Sequence, residues 1–123
     1  HDRPSAVSAL VARSVQISAD KTILLFTLLS AARFPDGSRL TAHDAAFSLP
    51  ALKAKGHPLI QTQMRDMMKA HAVDDATLVV TFAEKRARDV PLFVASLPVF
   101  SEAYYATRPF DESTLDIPLG SGP

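Results

Sequence analysis

Four histidines are the side chains in this sequence best suited to binding a metal ion: His1, His43, His57 and His71. Protein zinc sites usually take histidine or cysteine ligands in pairs that lie only a few residues apart in the chain. No two of these histidines have that spacing, and the chain contains no cysteine. We therefore predict no metal site and no cofactor, with His43 and His57 as exposed polar residues and His71 on the outer face of a strand.

Carboxylates and hydroxyls could act as acids, bases or nucleophiles, but none of them stands in a catalytic motif. The residues considered are Asp36, Asp44, Asp74, Asp75, Asp116, Ser38, Ser48 and Ser121. A catalytic carboxylate pair must share a cleft that shifts its pKa values, whereas each aspartate here has a simpler role in a turn or a helix cap. No serine has the Gly-x-Ser-x-Gly context of a nucleophile elbow. The sequence thus predicts a protein that is not an enzyme.

Two short stretches could instead contact a bound molecule or a neighbouring domain. Tyr104 and Tyr105 could stack on a ligand, although packing with the hydroxyl groups at the rim is the commoner use of such a pair. Gly120, Ser121 and Gly122 suggest a phosphate loop, but the lysine and helix start of such a loop do not follow them. We predict a hinge or re-entry segment there, because glycine permits backbone angles that other residues resist.

The composition is that of one ordinary globular domain covering residues 1–123. Hydrophobic residues make up 47% of the chain and charged residues 21%, with 13 basic against 13 acidic side chains. Since the charges balance, there is no electrostatic reason to expect nucleic acid or an anionic membrane surface as a partner. No apolar run approaches the roughly 20 residues that a membrane-spanning helix needs, so no membrane span is predicted.

A turn followed by a capped helix organises the middle of the chain. Asp36 and Gly37 form a strong turn dipeptide, because aspartate hydrogen-bonds into a tight backbone and glycine supplies a positive φ. Thr41 has the position of an N-cap, and the carboxylate of Asp44 can reach back to it as in a capping box. Pro50 lies too far along to use the free N–H positions of the first turn, so we expect it to kink or split the helix.

Stretches with a period of two residues predict two β-hairpins, one over residues 13–29 and one over residues 68–82. Between them lie the capped helix, which we expect Gly56 to end as its C′ residue, and a short amphipathic helix after His57. Residues 6–12 are compatible with a short helical turn. We therefore predict an α+β fold with a roughly four-stranded antiparallel sheet, made of the two hairpins, and short helices on one or both faces.

The second strand of the first hairpin is apolar on both faces. One face carries Leu24, Phe26 and Leu28, and the other carries Ile23, Leu25, Thr27 and Leu29. A strand of this kind is usually central and covered on both sides, which is what we expect here. The alternative is that the second face is bare on this chain and packs on another part of a larger protein.

The stretch from residue 33 to residue 48 resembles the segment Arg-Phe-His-Asp-Gly-x-Pro-Leu-Thr-Ala-Glu-Asp-Val-x-Phe-Ser of the extracellular solute-binding proteins of family five, which serve peptide and nickel ABC importers. The matching residues are Arg33, Phe34, Asp36, Gly37, Leu40, Thr41, Ala42, Asp44, Phe47 and Ser48. The departures are Pro35, Arg39, His43 and Ala45. None of these departures removes the turn or the helix cap, so the resemblance implies the same local fold.

The resemblance continues through most of the chain, from about residue 11 to residue 123. The stretch 69–82 is similar to the family's Val-x-Ala-x-Asp-x-x-Thr-Val-x-x-x-Phe hairpin. The stretch 97–105 is similar to the Leu-Pro-x-x-Pro-x-x-Tyr-Tyr sequence of its oligopeptide and microcin members. The sequence stops within a Gly-Ser/Thr-Gly-Pro phrase that the family continues into a further strand, and we therefore expect this chain to be the small lobe of a much larger bilobal binding protein.

This resemblance implies that the larger protein captures peptides or similar solutes in the periplasm. It would deliver them to an ABC permease complex, which would be its only connection to the membrane. The family's main peptide contacts lie outside the matched segment, so no residue is carried over as a ligand contact. An alternative stays open, in which the chain is a freestanding α+β protein-interaction module whose exposed apolar sheet face binds a partner.

Overall fold

The structure is a computed structural model that describes residues 7–84 and 90–106. The elements in chain order are β1 (Val7–Ala9), β2 (Ala12–Ile17), β3 (Ile23–Leu28), α1 (Ala42–Lys55), α2 (Pro58–Gln63), β4 (Met67–Asp74), β5 (Thr77–Phe82), α3 (Val90–Ala95), β6 (Pro98–Phe100) and α4 (Glu102–Tyr105). The predicted α+β class is confirmed. None of the helices in these ranges is long and apolar enough to cross a membrane.

The two predicted hairpins form one antiparallel sheet with the strand order β2-β3-β5-β4. Each hairpin pairs neighbouring strands, and β3 pairs with β5 to join the two hairpins. Phe26 lies opposite Leu78 in this central pair, and Leu24 lies opposite Val80. The predicted four-stranded antiparallel sheet is therefore confirmed, with the most apolar strand of each hairpin at its centre.

The two faces of this sheet differ. On the inner face, Phe26 and Leu78 are fully buried and Leu24 is 2% exposed, because α1 packs against this side of β4 and β5. On the outer face, Ile23 is 39% exposed and Leu25 is only partly buried. Our expectation that both faces of β3 are covered is therefore wrong within the described part of the chain, because α1 packs on the inner face and Ile23 stays exposed on the outer one.

The start of α1 follows the sequence prediction. The carboxylate of Asp36 accepts hydrogen bonds from the backbone N–H and the hydroxyl of Ser38, at 2.9 and 2.6 Å. Gly37 has φ +92°, the left-handed region that glycine tolerates best. Asp44 reaches back to the helix N-cap and accepts a hydrogen bond from the backbone N–H of Thr41 at 2.9 Å. The turn and the capping box therefore set the direction in which the helix begins.

Helix α1 runs without a break from Ala42 to Lys55 and contains Pro50. Of the two predicted effects of Pro50, the split is wrong and the kink stays a prediction. Pro50 lies on the exposed side of the helix, where water can bond the carbonyl that its missing N–H leaves free, while the neighbouring Leu49 and Leu52 are buried. Burial of these leucines thus holds the helix together across the proline.

Gly56 ends α1, but not in the left-handed conformation expected of a C′ glycine. It is the C-cap residue with φ −77° and ψ −172°, and its N–H donates to the Leu52 carbonyl. A Cβ atom at this position would lie 2.6 Å from that same oxygen. Glycine is therefore required here by the close approach of two backbone segments rather than by a positive φ.

The N-terminal stretch differs most from its prediction. Residues 7–9 form β1, which pairs antiparallel with β6, so that Val7 lies opposite Phe100. The expected short helical turn is wrong, because a partner strand from the other end of the described chain decides the conformation. Local sequence contains no information about such a distant partner.

Candidate functional site

His43 and Asp75 lie together at the N-terminal end of α1. The Nε2 atom of His43 is 3.3 Å from Asp75 Oδ1, and the Nη1 atom of Arg39 is 3.1 Å from Asp75 Oδ2. All three side chains are about half exposed, and the backbone carbonyl of Asp75 accepts a hydrogen bond from Ala42 N–H at 2.8 Å. The group ties the β4–β5 turn to the start of α1, and such exposed ion pairs contribute little stability.

The other described histidines have separate positions. His57 is the N-cap of α2, where its Nδ1 atom accepts a hydrogen bond from Leu59 N–H. His71 is exposed on the outer face of β4, opposite Val79. Across residues 7–84 and 90–106, no three acidic, histidine or cysteine side chains come together in a group that could hold a metal ion. His1 lies outside the described residues.

The aspartates in tight turns are bonded to their own turns rather than facing a common cleft. Hydrogen bonds from the hydroxyl and then the N–H of Ser38 lower the pKa of Asp36. The pKa of Asp74 is lowered first by the backbone N–H of Ala76 and then by the side chain of Thr77. These turns are exposed. Hydrogen bonding within a turn is the structural role that the sequence predicted for these aspartates. Asp116 and Ser121 lie outside the described residues.

The aromatic residues of α4 form a compact group with a buried phenylalanine. The ring centroids of Tyr104 and Tyr105 are 4.9 Å apart at 70°, and those of Phe100 and Tyr105 are 5.8 Å apart at 86°. Both arrangements are the edge-to-face geometry that aromatic rings favour. Phe100 is fully buried, whereas the two tyrosines are partly exposed, so the group runs from the core to the surface.

Two side chains of α1 bind the backbone that precedes these tyrosines in the chain. Ser48 Oγ accepts a hydrogen bond from Phe100 N–H at 2.7 Å, and Asp44 Oδ1 accepts one from Glu102 N–H at 2.8 Å. The Ser48 hydroxyl in turn donates a hydrogen bond to the Asp44 carbonyl at 2.7 Å. We call the segment from Pro98 to Tyr105 the β6–α4 corner, and these bonds fix it to α1.

The two side chains of α1 that bind the corner are buried, so their hydrogen bonds are costly to lose. Ser48 is fully buried and Asp44 is 8% exposed. The Asp44 carboxylate accepts hydrogen bonds from Thr41 N–H, the Thr41 hydroxyl and Glu102 N–H. A buried carboxylate with several donors is strongly favourable in place and costly to leave unpaired. The corner is therefore held in one position by bonds with defined directions.

One further bond carries this arrangement into α4. Ser101 is 7% exposed, and its hydroxyl accepts a hydrogen bond from Tyr104 N–H at 3.2 Å. Helix α1, the corner and the tyrosine pair are therefore connected through consecutive hydrogen bonds.

Sequence reasoning gave Asp44 only its capping role and gave Ser48 none. A signal was available, since Asp44 and Ser48 are eight and four residues before the fully buried Leu52 and so lie on the same face of α1. Polar residues aligned with a buried leucine indicate a polar contact inside the protein. Of the predicted site residues, Tyr104 and Tyr105 are brought together by the fold, while Gly120, Ser121 and Gly122 lie outside the described residues.

Comparison with known sequences gives a family match over most of the chain. The model for bacterial extracellular solute-binding proteins, family 5 Middle, matches residues 6–123. A protein of Brucella melitensis named as a binding protein is 32% identical over 123 residues, which is 99% of this chain and 20% of the relative. The peptidoglycan-binding protein YepA of Agrobacterium fabrum is 28% identical over 123 residues, which again is 99% of this chain and 20% of the relative. The chain thus spans about a fifth of the length of these relatives.

Solved structures share the fold. AgaA from Agrobacterium tumefaciens, in complex with agropinic acid, has a TM-score of 0.73 at 22% identity, covering 97% of this chain and 26% of its own. NikZ from Campylobacter jejuni, in complex with Ni(L-His), has a TM-score of 0.70 at 20% identity, with 92% and 23% covered. The oligopeptide-binding protein AppA from Bacillus subtilis, in complex with a nonapeptide, has a TM-score of 0.69 at 16% identity, with 80% and 20% covered.

Proposed function

Because the chain belongs to the bacterial extracellular solute-binding proteins of family 5, we propose that it is the small lobe of a longer, bilobal protein that captures peptides for an ABC importer. The match of the family model to residues 6–123 is the observation that carries this proposal. The longer protein would work in the periplasm, hand its solute to a permease complex and carry out no catalysis.

The described fold supports the role of a lobe within a longer chain. β1 and β6 pair, so the first and last strands of the described chain lie side by side. A unit whose two ends lie together can be inserted into a larger protein without disturbing either part. We propose that Gly120, Ser121 and Gly122 form the re-entry or hinge segment toward the larger lobe.

Two of the similar proteins, AppA and YepA, support peptides as the solute class. AppA was solved with a nonapeptide bound, and YepA is named for binding peptidoglycan, a polymer that carries peptide side branches. A peptide has a polar backbone with charges at its two ends, so its affinity depends on enclosure between lobes that replace water at each polar group. We therefore propose that the whole protein binds peptides, including those of the cell wall, and that this lobe alone does not.

Calorimetric titration tests the proposal with two proteins side by side. One is the longer protein that contains this sequence, and the other is the 123-residue chain. Each is titrated with a pool of di- to octapeptides and with a peptide released from peptidoglycan. We expect the longer protein to bind with a micromolar or lower Kd, and the chain alone to bind about a thousandfold more weakly, because half of the enclosing contacts are lost.

Two results would contradict the proposal. Micromolar binding by the 123-residue chain would show that this lobe contains the ligand site by itself. No binding of any peptide by the longer protein would show that the solute belongs to another chemical class.

The outer face of the sheet favours a second candidate, a freestanding protein-interaction module. The two central strands carry no charge on this face, where Ile23 and Leu25 of β3 lie opposite Thr81 and Val79 of β5. An uncharged, partly apolar sheet surface suits a protein partner. If the gene encodes a stop codon directly after Pro123, this candidate replaces the first.

A further inference from the structure

Asp36 and Gly37 are the pair in this sequence most prone to a spontaneous rearrangement of the backbone. An aspartate followed by glycine can close a succinimide ring, since glycine has no Cβ atom to hinder the approach of its backbone nitrogen. Asp36 is the one aspartate in the sequence that precedes a glycine. The sequence also contains no asparagine, the other residue that closes such a ring readily. The reaction is therefore concentrated at this turn.

The rearrangement releases one water molecule and then takes one up. The backbone nitrogen of Gly37 attacks Cγ of the protonated Asp36 carboxyl group, a C–N bond forms, and the carboxyl hydroxyl leaves with the amide proton as water. Water then adds to the main-chain carbonyl carbon of Asp36, and the bond from that carbon to the Gly37 nitrogen breaks. The product, isoaspartate, has the same mass but carries one additional carbon atom in the backbone.

The folded turn holds the attacking nitrogen away from this reaction. Gly37 N–H donates a hydrogen bond to the Phe34 carbonyl at 2.9 Å, and Phe34 N–H donates one to the Ser38 carbonyl at 2.8 Å. With φ +92° at Gly37, these bonds form a three-residue hairpin loop whose last residue is left-handed. Ring closure requires the peptide group after Asp36 to rotate until its nitrogen meets Cγ. The turn must therefore open first.

The turn also keeps the Asp36 carboxyl group in its unreactive form. The hydroxyl and the N–H of Ser38 donate hydrogen bonds to Asp36 Oδ1 at 2.6 and 2.9 Å. These bonds lower the pKa of Asp36, because they favour the charged carboxylate. A carboxylate is a much poorer electrophile than a carboxylic acid, since its negative charge repels the attacking nitrogen. Both partners in the ring closure are thus restrained by the same turn.

The base of this loop is anchored in the core, while its tip lies in water. Ala32, Phe34 and Leu40 are buried, whereas residues 35–39 are exposed. Leu40 N–H donates to the Ala32 carbonyl at 3.1 Å, which closes the hairpin below the loop. Water reaches the loop freely, so closure of the turn, and not access of solvent, limits the reaction.

We propose that Asp36 is a site of spontaneous isomerisation to isoaspartate, and that the closed turn confines the reaction to chains that are unfolded or whose turn has opened. The additional backbone atom lengthens the loop and displaces the residues that lead to Thr41, the N-cap of α1. A folded chain therefore keeps the turn that directs this helix, and a chain left unfolded gradually loses it.

Peptide mapping of the aged 123-residue chain tests this inference. Trypsin cleaves after Arg33 and Arg39, so residues 34–39 are released as one six-residue peptide. Chromatography separates its aspartate and isoaspartate forms, with synthetic peptides of both forms as standards. The chain is incubated at mildly acidic pH, folded and, in parallel, unfolded in guanidinium chloride. We expect isoaspartate to form roughly tenfold more slowly in the folded sample, because the ring closes only after local opening.

A matched pair of variants tests the part played by the Ser38 hydroxyl. Ser38→Ala removes the hydroxyl that bonds Asp36, whereas Ser38→Thr keeps one at the same position. In the folded state we expect Ser38→Ala to isomerise about threefold faster than the wild type, as the loss of one hydrogen bond implies. Ser38→Thr should keep the wild-type rate. All three proteins should react equally fast when unfolded, since the bonds of the turn are then absent.

Three results would contradict this inference. No isoaspartate in the unfolded chain would show that Asp36 is not a site of isomerisation. Equal rates in the folded and unfolded wild type would show that the turn gives no protection. Equal rates for Ser38→Ala and Ser38→Thr in the folded state would show that the hydroxyl has no part in it. Circular dichroism before incubation establishes which samples are folded. If Ser38→Ala does not fold, the two wild-type samples still decide whether the turn protects Asp36.

Discussion

The inner face of the sheet and the β6–α4 corner are held by different forces. The inner face is packed with apolar side chains such as Phe26, Leu78 and Val80, all of them fully buried. The corner is held by the polar side chains of Asp44 and Ser48. Apolar burial scales with area and has little directional preference, whereas hydrogen bonds fix distances and angles. The core therefore supplies most of the stability, and the corner supplies a defined geometry.

Removing a core side chain should have the largest effect on stability. Phe26→Ala should lower the free energy of unfolding by about 3–5 kcal/mol, because it deletes a fully buried ring and leaves a cavity. Urea unfolding followed by circular dichroism measures the loss. The neighbouring Thr27→Ala, on the outer face, is the control and should cost much less. Equal losses for the two variants would contradict the difference between the sheet faces.

Breaking the corner should have a smaller effect on stability. Ser48→Ala should lower the free energy of unfolding by about 1–3 kcal/mol, because the buried N–H of Phe100 loses its acceptor. The same urea experiment measures it, with Ser14→Ala as the exposed control. A loss as large as that of Phe26→Ala would mean that the corner belongs to the core in energetic terms.

Changing Pro50 should strengthen the helix that carries both regions. Pro50→Ala restores a backbone N–H inside α1 and removes a steric clash, while it makes the unfolded chain more flexible. We expect a net gain of about 1–2 kcal/mol in the free energy of unfolding, since the helix continues through this residue. Thermal melts check the sign. A lower melting temperature than the wild type would show that the fixed φ of proline is worth more here than the lost hydrogen bond.

Lowering the pH should weaken the turns that lie outside both regions. It should have the smallest effect on the stability of the fold. Hydrogen bonds in the turns lower the pKa values of Asp20, Asp36 and Asp74, with the Ser18 hydroxyl as the largest cause for Asp20. A carboxyl group with a lowered folded pKa stabilises the fold above its unfolded pKa of about 4, and this contribution is lost as the pH falls through the folded value. Urea midpoints of the wild type should therefore fall below pH 4.

A triple variant distinguishes the contribution of these three aspartates to the pH dependence from that of other acidic groups. Replacing Asp20, Asp36 and Asp74 by asparagine should make the urea midpoint less dependent on pH between pH 5 and pH 2, as a rough range around the unfolded pKa. Glu84→Gln, which removes an exposed carboxylate outside these turns, is the control. An unchanged pH dependence in the triple variant would show that the turn hydrogen bonds do not favour the charged carboxylates.

The core region could be predicted from sequence because its signals are local. Alternation along residues 23–28 and 77–82 identified two apolar strands, and the Thr41 and Asp44 spacing identified the start of α1. The corner could not be predicted in the same way. β1 becomes a strand only because β6 pairs with it, and Ser48 acquires its role only because Phe100 lies beside it in the folded chain. The open outer face was only the alternative prediction, because strand composition does not show which faces the helices cover.

Residue-specific hydrogen exchange on the 123-residue chain, measured by NMR for the wild type and Ser48→Ala, tests the separation of core and corner most directly. The account predicts much faster exchange at the Phe100 amide, which loses its acceptor, and at the nearby Glu102 amide. The amides of β3 and β5 should lose protection against exchange only by the amount that the global loss of stability explains. Unchanged exchange at Phe100, or an equal acceleration at every protected amide, would contradict the claim that Ser48 holds the corner independently of the sheet core.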